Sequence, residues 1–233
     1  MRRVLYLFMT ALVVICFYSC EEKEKTAVET NLPLSSIYLD YQVWGEEGKE
    51  YVTVLIRLFE NNNFKKPIAL PAPGFVELDG QVLTADSSAM AGYFYEIQYH
   101  VDDFNGLHKI IVADARGNQA SEEFEFSSFS LLEEPGIIRK REDLRLPIQG
   151  LKEGEFVRVI MIDTVFSTTD INRLDTLKNN EILIERLALR DVASGPVSLL
   201  LFKEEEEQVY ASELYGGKKM VTFGLKRELE LVD

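Results

Sequence analysis

The strongest structural signal in the chain is the stretch Gly106-Leu107-His108-Lys109-Ile110-Ile111-Val112-Ala113-Asp114-Ala115-Arg116-Gly117-Asn118. Four of its side chains share one parity: His108, Ile110, Val112 and Asp114. A period of two is typical of a β-strand, and the Gly-Asn pair that follows is typical of a turn. Residues 119–126 then alternate again. The stretch therefore predicts two antiparallel strands joined by a tight turn.

This pattern resembles the last two strands of bacterial immunoglobulin-like domains. Repeats of that family often carry a Gly, a His, alternating aliphatic residues, an Asp and a Gly-Asn turn, and residues 106–118 follow most of that order. The resemblance implies a β-sandwich over residues 36–128, with His108 as a structural histidine. Such modules commonly act as spacers or binding folds, and the fold alone does not supply a function.

The residues before this stretch also predict strands rather than helices. Period-two alternation covers 37–44, 51–59 and 93–101, with many β-branched and aromatic side chains. Residues 75–84 contain Asp79-Gly80 between two short apolar runs, which predicts a hairpin with a type I′ turn. The first half of the chain is therefore expected to be all-β.

A second unit is predicted from residue 129 to residue 233. Residues 131–136 contain Pro135 and Gly136, which break a strand and favour a domain junction. The expected strands that follow are 144–148, 156–166, 181–189, 197–203, 208–214 and 220–225. We expect a helical turn only within residues 167–178, and a solvated hairpin end at Glu204-Glu205-Glu206-Glu207. The predicted fold class is all-β, with two tandem immunoglobulin-like antiparallel β-sandwich domains.

The first twenty residues predict export and lipidation. Arg2 and Arg3 precede an apolar run that ends at Cys20, as in a secretory signal peptide over residues 1–19. Ser19-Cys20 resembles the lipobox of bacterial lipoproteins, which implies that Cys20 carries the lipid anchor. The charged run 21–25 resembles the export tag of surface lipoproteins of the Bacteroidetes type, although such a run can also be a simple solvated tether. Residues 20–35 are therefore expected to form the lipidated cysteine and a flexible linker.

Composition excludes several classes of function. Cys16 and Cys20 are the only cysteines, and cleavage and lipidation would use both, so the mature chain would have no cysteine nucleophile, thiolate metal site or redox pair. The 25 basic and 39 acidic residues give a net charge of -14, which disfavours nucleic acid as a partner. We expect no cofactor.

The residues that suggest catalysis or metal binding are few. His100 and His108 flank Asp102 and Asp103, a set that suits zinc or acid-base chemistry but is better explained by strand and turn positions. Oxygen ligands for calcium occur at Asp102, Asp103, Asp114 and Asn118, but turn geometry already explains these residues. Nucleophile-elbow, phosphate-loop and zinc-helix motifs are missing from the sequence. The sequence therefore predicts no catalytic residue and no metal site.

Aromatic residues are dense in the first half, and they suggest a ligand surface at Trp44, Tyr41 and Tyr51. Alternating rings are also ordinary sandwich core, so both interpretations stay open. Two functional hypotheses follow for an outer-membrane, lipid-anchored protein displayed at the surface or facing the periplasm. One is a non-enzymatic module that binds an envelope protein, and the other is a glycan-binding accessory lipoprotein of a polysaccharide uptake system.

Overall fold

The computed structural model describes residues 32–61, 63–165 and 170–233. The predicted signal peptide, Cys20 and the linker up to residue 31 lie outside the described residues. The strands are β1 Ile37–Glu46, β2 Tyr51–Glu60, β3 Phe75–Leu78, β4 Gln81–Leu83, β5 Ala85–Ser88, β6 Gly92–His100, β7 Gly106–Ala113, β8 Gln119–Phe126, β9 Ser130–Leu131, β10 Ile138–Arg139, β11 Leu144–Gln149, β12 Phe156–Asp163, β13 Ile171–Thr176, β14 Glu181–Ile184, β15 Gly195–Val209 and β16 Gly216–Val232.

The helical content of the described chain is small. It comprises two 3-10 turns, Leu34–Ser36 and Val101–Asp103, and one short helix, α1, at Arg186–Leu189. No helix within residues 32–61, 63–165 or 170–233 has the length and apolar character that crossing a membrane requires. The predicted all-β class is confirmed.

Two small sheets cover the two ends of one large sheet. The large sheet has nine strands in the order β13-β12-β15-β16-β1-β2-β6-β5, with β10 added beside β16. The small sheets have the orders β4-β3-β7-β8 and β14-β11-β9. Each small sheet forms a sandwich with its end of the large sheet, and the first sandwich also contains segments of β15 and β16, because β16 pairs with β1. The predicted boundary at residue 128 stays a prediction.

The sandwich interiors are built from the alternating side chains that the sequence indicates. In β1 and β2 the inward residues Leu39, Val54 and Ile56 are 0–1% exposed. Phe124 and Phe126 face them from β8, and the Tyr41 and Phe124 ring centroids are 5.5 Å apart. Full burial of each such side chain stabilises the fold by about 1.5–3 kcal/mol. Because these inward side chains are buried, only the outer face of each strand is available for binding.

The longest hairpin, β15 and β16, joins the two sandwiches. All of β15 pairs antiparallel with β16, from Gly195 with Leu231 to Val209 with Gly217. The first half of β16 also pairs in parallel with β1, from Tyr38 with Gly216 to Glu46 with Gly224. A Cβ at residue 217 would lie 2.4 Å from the Leu39 carbonyl oxygen, so this close approach of the two strands requires glycine.

Four local predictions for the second half are wrong. The strand expected at residues 181–189 ends at Ile184 and is followed by α1, and the strand expected at residues 208–214 extends only to Val209, the end of β15. The other two fail where a distant strand pairs. The helical turn expected within residues 167–178 is a strand over its described part, because β13 pairs with β12 along its whole length. The hairpin end expected at residues 204–207 lies inside β15, and the chain turns only after Val209. In both places pairing with a distant strand outweighs the local sequence preference.

The hairpin predicted at Asp79-Gly80 is confirmed. β3 and β4 pair antiparallel on either side of it. Asp79 has φ 50° and Gly80 has φ 84°, as a type I′ turn requires.

Candidate functional site

The structure does not bring the three predicted aromatic residues together. Trp44 is 42% exposed and Tyr51 is 48% exposed, both on the outer face of the large sheet. Tyr41 lies on the inner face of β1 and is 0% exposed. Strand periodicity could have revealed this difference, because residues three apart in a strand point to opposite faces.

Trp44 and Tyr51 nevertheless share the outer face of the large sheet, on the two strands that the β1-β2 turn joins. Tyr51 pairs with His100 across β2 and β6, and their ring centroids are 6.1 Å apart with the rings edge to face. His100 Nδ1 lies 3.7 Å from an oxygen of the exposed Asp102. We call Trp44, Tyr51 and His100 the aromatic corner. It presents apolar ring area beside polar groups, which suits a sugar face or a protein side chain.

A cleft of about 730 Å³ lies beside this corner, between the end loops of the two sandwiches. We call it the junction cleft. Its polar lining includes Glu46, Glu47, Asp102, Asn105, Glu125, Ser127, Ser128, Ser130 and Gln149. Arg227 borders it with Nη1 donating to Glu47 over 2.5 Å and Nε donating to Glu134 over 2.6 Å. Val101, Phe126, Phe129 and Phe223 add apolar lining to these carboxylates, amides and hydroxyls, which are groups that bind hydroxyl-rich or cationic ligands.

The two histidines do not form one site. His108 is 8% exposed on the inner side of β7, where its Nε2 donates to the Phe104 carbonyl over 2.8 Å. Its Nδ1 lies 2.7 Å from Asp79 Oδ2, and its ring stacks on Phe104 at 3.8 Å. His100 instead lies on the large sheet with its own carboxylate neighbour. Both ring nitrogens of His108 have partners, as expected for a structural histidine.

The Asp114 carboxylate is committed to its own turn. Oδ1 accepts the backbone N–H groups of Arg116 at 2.9 Å and Asn118 at 3.0 Å, and Oδ2 accepts the Asn118 side-chain amide at 2.9 Å. Burial opposes ionisation, but these hydrogen bonds outweigh it and lower the pKa of Asp114. Within the described ranges no group of three or more His, Cys, Asp and Glu side chains is arranged to hold a metal ion.

The outer face of the large sheet carries an apolar patch at its β12-β13 end. Phe156, Ile162 and Leu174 are 58%, 40% and 56% exposed. The inward neighbours Val157, Val159 and Met161 are 0% exposed, so the alternation of β12 continues, and its outer face carries Phe156 and Ile162 with Arg158 between them. We call Phe156, Ile162 and Leu174 the outer patch. The sequence predicts a strand at 156–166 but does not indicate which of its apolar side chains face solvent.

A second group that sequence analysis missed surrounds the buried Tyr41. Tyr41, Lys219 and Glu207 are register partners across β1, β16 and β15, and all three lie on the inner face. Lys219 is 8% exposed, with Nζ 3.0 Å from Glu207 and 3.3 Å from Glu205. Burial would lower the pKa of Lys219, but the two carboxylates outweigh it and raise that pKa. The local sequence gives no sign of this group, because Tyr41 and Lys219 are 178 residues apart and become neighbours only when β16 pairs with β1.

Comparison with known proteins gives no family assignment. No family model matches the chain, and no curated protein sequence matches it. Similar solved structures include the first two Ig domains of DIP-gamma, with 10% identity, coverage of 81% of this chain and 94% of that chain, and a TM-score of 0.25. The fibronectin(III)-like modules of Clostridium thermocellum CbhA show 11% identity, coverage of 84% and 94%, and a TM-score of 0.26.

A third similar structure is Bacteroides ovatus SGBP-B from a mixed-linkage glucan utilization locus, in complex with a mixed-linkage heptasaccharide. It shows 11% identity, a TM-score of 0.23, and coverage of 82% of this chain and 60% of that chain. Similarity at this level carries no information about binding or activity, so the function has to be argued from the surfaces described above.

Proposed function

We propose that this chain is a lipid-anchored protein of the outer membrane whose sandwich body is a non-enzymatic module that binds an envelope protein. In this proposal Cys20 holds the lipid, the residues between Cys20 and the buried Leu34 provide reach, and the outer face of the large sheet meets the partner. Two acyl chains on one residue give stable anchoring, where a single chain would be marginal.

The observation that carries the proposal is the outer patch. Phe156, Ile162 and Leu174 are each at least 40% exposed on the outer face of the large sheet. By contrast, Tyr41 and Tyr95 are at most 3% exposed, so these two rings are not available to a sugar platform in the first half. Exposed apolar side chains grouped on one face favour a protein partner over a polar ligand.

The histidine geometry supports a non-enzymatic role. His108 is held between Asp79 and the Phe104 carbonyl, and His100 packs on Tyr51 at another strand. A general base needs to reach a substrate proton directly or through one water, and His108 at 8% exposure is turned into the core.

Location and binding can be tested on intact cells that make the full chain. Protease added outside the cells should digest the wild type if it is displayed at the surface, and Cys20→Ala should leave the membrane fraction. Covalent cross-linking followed by identification of the partner should capture one envelope protein. The double variant Phe156→Ser/Leu174→Ser should lose that partner.

A matched control is Val82→Ser/Leu107→Ser, which alters side chains that are 58% and 69% exposed away from the outer patch. Equal capture by all three proteins would contradict the proposed binding face. Retention of Cys20→Ala in the membrane would contradict the anchor.

Glycan binding remains the second candidate, because the aromatic corner adjoins the polar junction cleft. Its test is gel retardation in soluble polysaccharides, with Trp44→Ala expected to abolish any retardation. Tyr210→Ala is the control, since Tyr210 is 85% exposed elsewhere on the chain. Retardation that Trp44→Ala does not change would contradict this site.

A further inference from the structure

The first sandwich has an open side between β8 and the second half of β15. β12 pairs with β15 only through Val197–Phe202, so residues 203–209 of β15 have a strand neighbour on one side alone, β16. β8 is likewise the last strand of its own sheet. Within the part of the chain that the structure describes, both strands therefore present free backbone edges at this opening, which suits pairing with an additional strand.

The charges on the two faces of this β15 segment differ. On the outer face Glu204 pairs with Arg158 at 2.7 Å and Glu206 pairs with Lys218 at 2.9 Å, so each carboxylate has its own cation. On the inner face Glu205 and Glu207 share Lys219 alone. Glu122 lies on the inward side of β8, where burial raises its pKa and the charge of the same lysine opposes that rise. The opening therefore holds three carboxylates against one ammonium group.

A buried hydroxyl at the same place has no hydrogen-bond partner among the described residues. Tyr41 is 0% exposed, its register partner is Lys219, and its Oη makes no hydrogen bond to any residue of the described ranges. The Tyr41 ring lies 5.5 Å from the Phe124 ring, and Glu122 is on the same side of β8 two residues before Phe124. Burial, and after it the charges of Glu122, Glu205 and Glu207, raises the pKa of Tyr41. A buried hydroxyl without a hydrogen bond costs free energy, and an arriving polar group would remove that cost.

The chemistry of the opening selects one kind of occupant. A second copy of this chain would bring its own run of glutamates to the edge, and like charges directly opposite are unfavourable. The described residues hold no metal-binding group of three or more ligands. An arginine or lysine side chain would supply the missing positive charge and hydrogen-bond donors.

We propose that the free edge of β15 at residues 204–208 binds an extended basic segment of a partner protein by strand addition. One arginine or lysine of that segment enters the opening between Glu122, Glu205 and Glu207 and reaches Tyr41. Backbone pairing supplies the general affinity and the alternating basic side chains supply the specificity, as in other strand-addition complexes. This surface is separate from the outer patch, and the inference does not depend on the function proposed above.

The test uses the full chain purified in detergent and a fluorescent peptide in which arginine and threonine alternate. Binding is followed by fluorescence anisotropy at about 0.15 M salt, where long-range attraction is largely screened. We expect Glu205→Gln/Glu207→Gln to weaken binding by about tenfold or more. The matched control Glu204→Gln/Glu206→Gln removes the same charge from the outer face of the same strand, and we expect it to weaken binding by less than about threefold. Equal losses in the two pairs would overturn the inward site.

Two further measurements separate strand addition from simple charge attraction. A peptide methylated on alternate backbone nitrogens should bind poorly, and equal binding would overturn strand pairing. Tyr41→Phe should keep or raise its unfolding midpoint, because it deletes a buried hydroxyl that has no hydrogen bond to a described residue, and it should weaken peptide binding by about fivefold. Unchanged affinity in Tyr41→Phe would contradict the role of the hydroxyl. Phe156→Ser/Leu174→Ser should bind the peptide normally, so failure of the outer patch and failure of this edge can be told apart.

Discussion

The Asp114 turn and the Glu204–Glu207 segment are both carboxylate sites in a strand hairpin, and they differ in where their partners come from. Every partner of Asp114 lies within four residues along the chain. The partners of the glutamates are Arg158, Lys218 and Lys219, on two other strands. The turn is locally complete, whereas the inner face of the segment keeps more negative than positive charge. Local sequence therefore predicts the first region and not the second.

The largest expected effect comes from Asp114→Ala. The change removes a buried acceptor of three hydrogen bonds and leaves two backbone N–H groups unpaired, so we expect a loss of about 2–3 kcal/mol in the free energy of unfolding. Urea unfolding measures it. Asp102→Ala is the control, because its side chain is 84% exposed, and it should unfold like the wild type. Equal stability of Asp114→Ala and the wild type would contradict a locally complete turn.

A smaller effect is expected from Lys219→Met. It removes the one cation between Glu205 and Glu207, and we expect a loss of about 1–2 kcal/mol at neutral pH because these carboxylates remain partly solvated. Lowering the pH should restore much of that loss as the carboxylates become protonated. Lys218→Met, on the outer face of the same strand, should cost less. Equal costs would show that the two faces of the segment are electrostatically alike.

The smallest effect is the pH dependence of the free energy of unfolding, which should have opposite signs for Glu122, beside the Glu204–Glu207 segment, and for Asp114 in its turn. Burial, with the charges of Glu207 and Glu123, raises the pKa of Glu122 above its usual 4.5, although Lys219 opposes the shift. Because folding raises this pKa, the contribution of Glu122 to the free energy of unfolding is fully present below pH 4.5. It is lost as the pH rises through the raised pKa. Glu122→Gln should remove this loss.

Asp114 behaves in the opposite way, because its pKa is lowered from 3.8. Its contribution is present above 3.8 and is lost as pH falls through the lowered value. Urea unfolding at a series of pH values should separate the two slopes. A Glu122→Gln curve parallel to that of the wild type would contradict the assignment for Glu122.

Strands with local signals were predictable, and strands that depend on distant partners were not. β1, β2, β6, β7 and β8 agree with the expected alternation, and the Asp79-Gly80 hairpin agrees with its turn chemistry. β13 and the unbroken β15 were missed, since their conformation is fixed by pairing with β12 and β16. A local cap or a run of glutamates predicts a turn only when no neighbouring strand is available.

The candidate surfaces show the same division. Tyr41 and Trp44 lie on opposite faces of β1, as its alternation requires, so the burial of Tyr41 was predictable from the sequence. The outer patch was not, because a strand with apolar residues on both faces is typical of a buried strand. The outer face of β12 is exposed in the described residues because the small sheet β14-β11-β9 lies over the opposite face.

By itself, the sequence determined the all-β class, the inward and outward parity of each strand in the first half, and the turns at Asp79 and Asp114, because these depend on side chains a few residues apart. The tertiary structure decided the parallel pairing of β1 with β16, the shared nine-stranded sheet and the meeting of Tyr41, Lys219 and Glu207. These contacts join the two ends of the described chain, and their free energy depends on burial and charge that arise only when distant strands become neighbours.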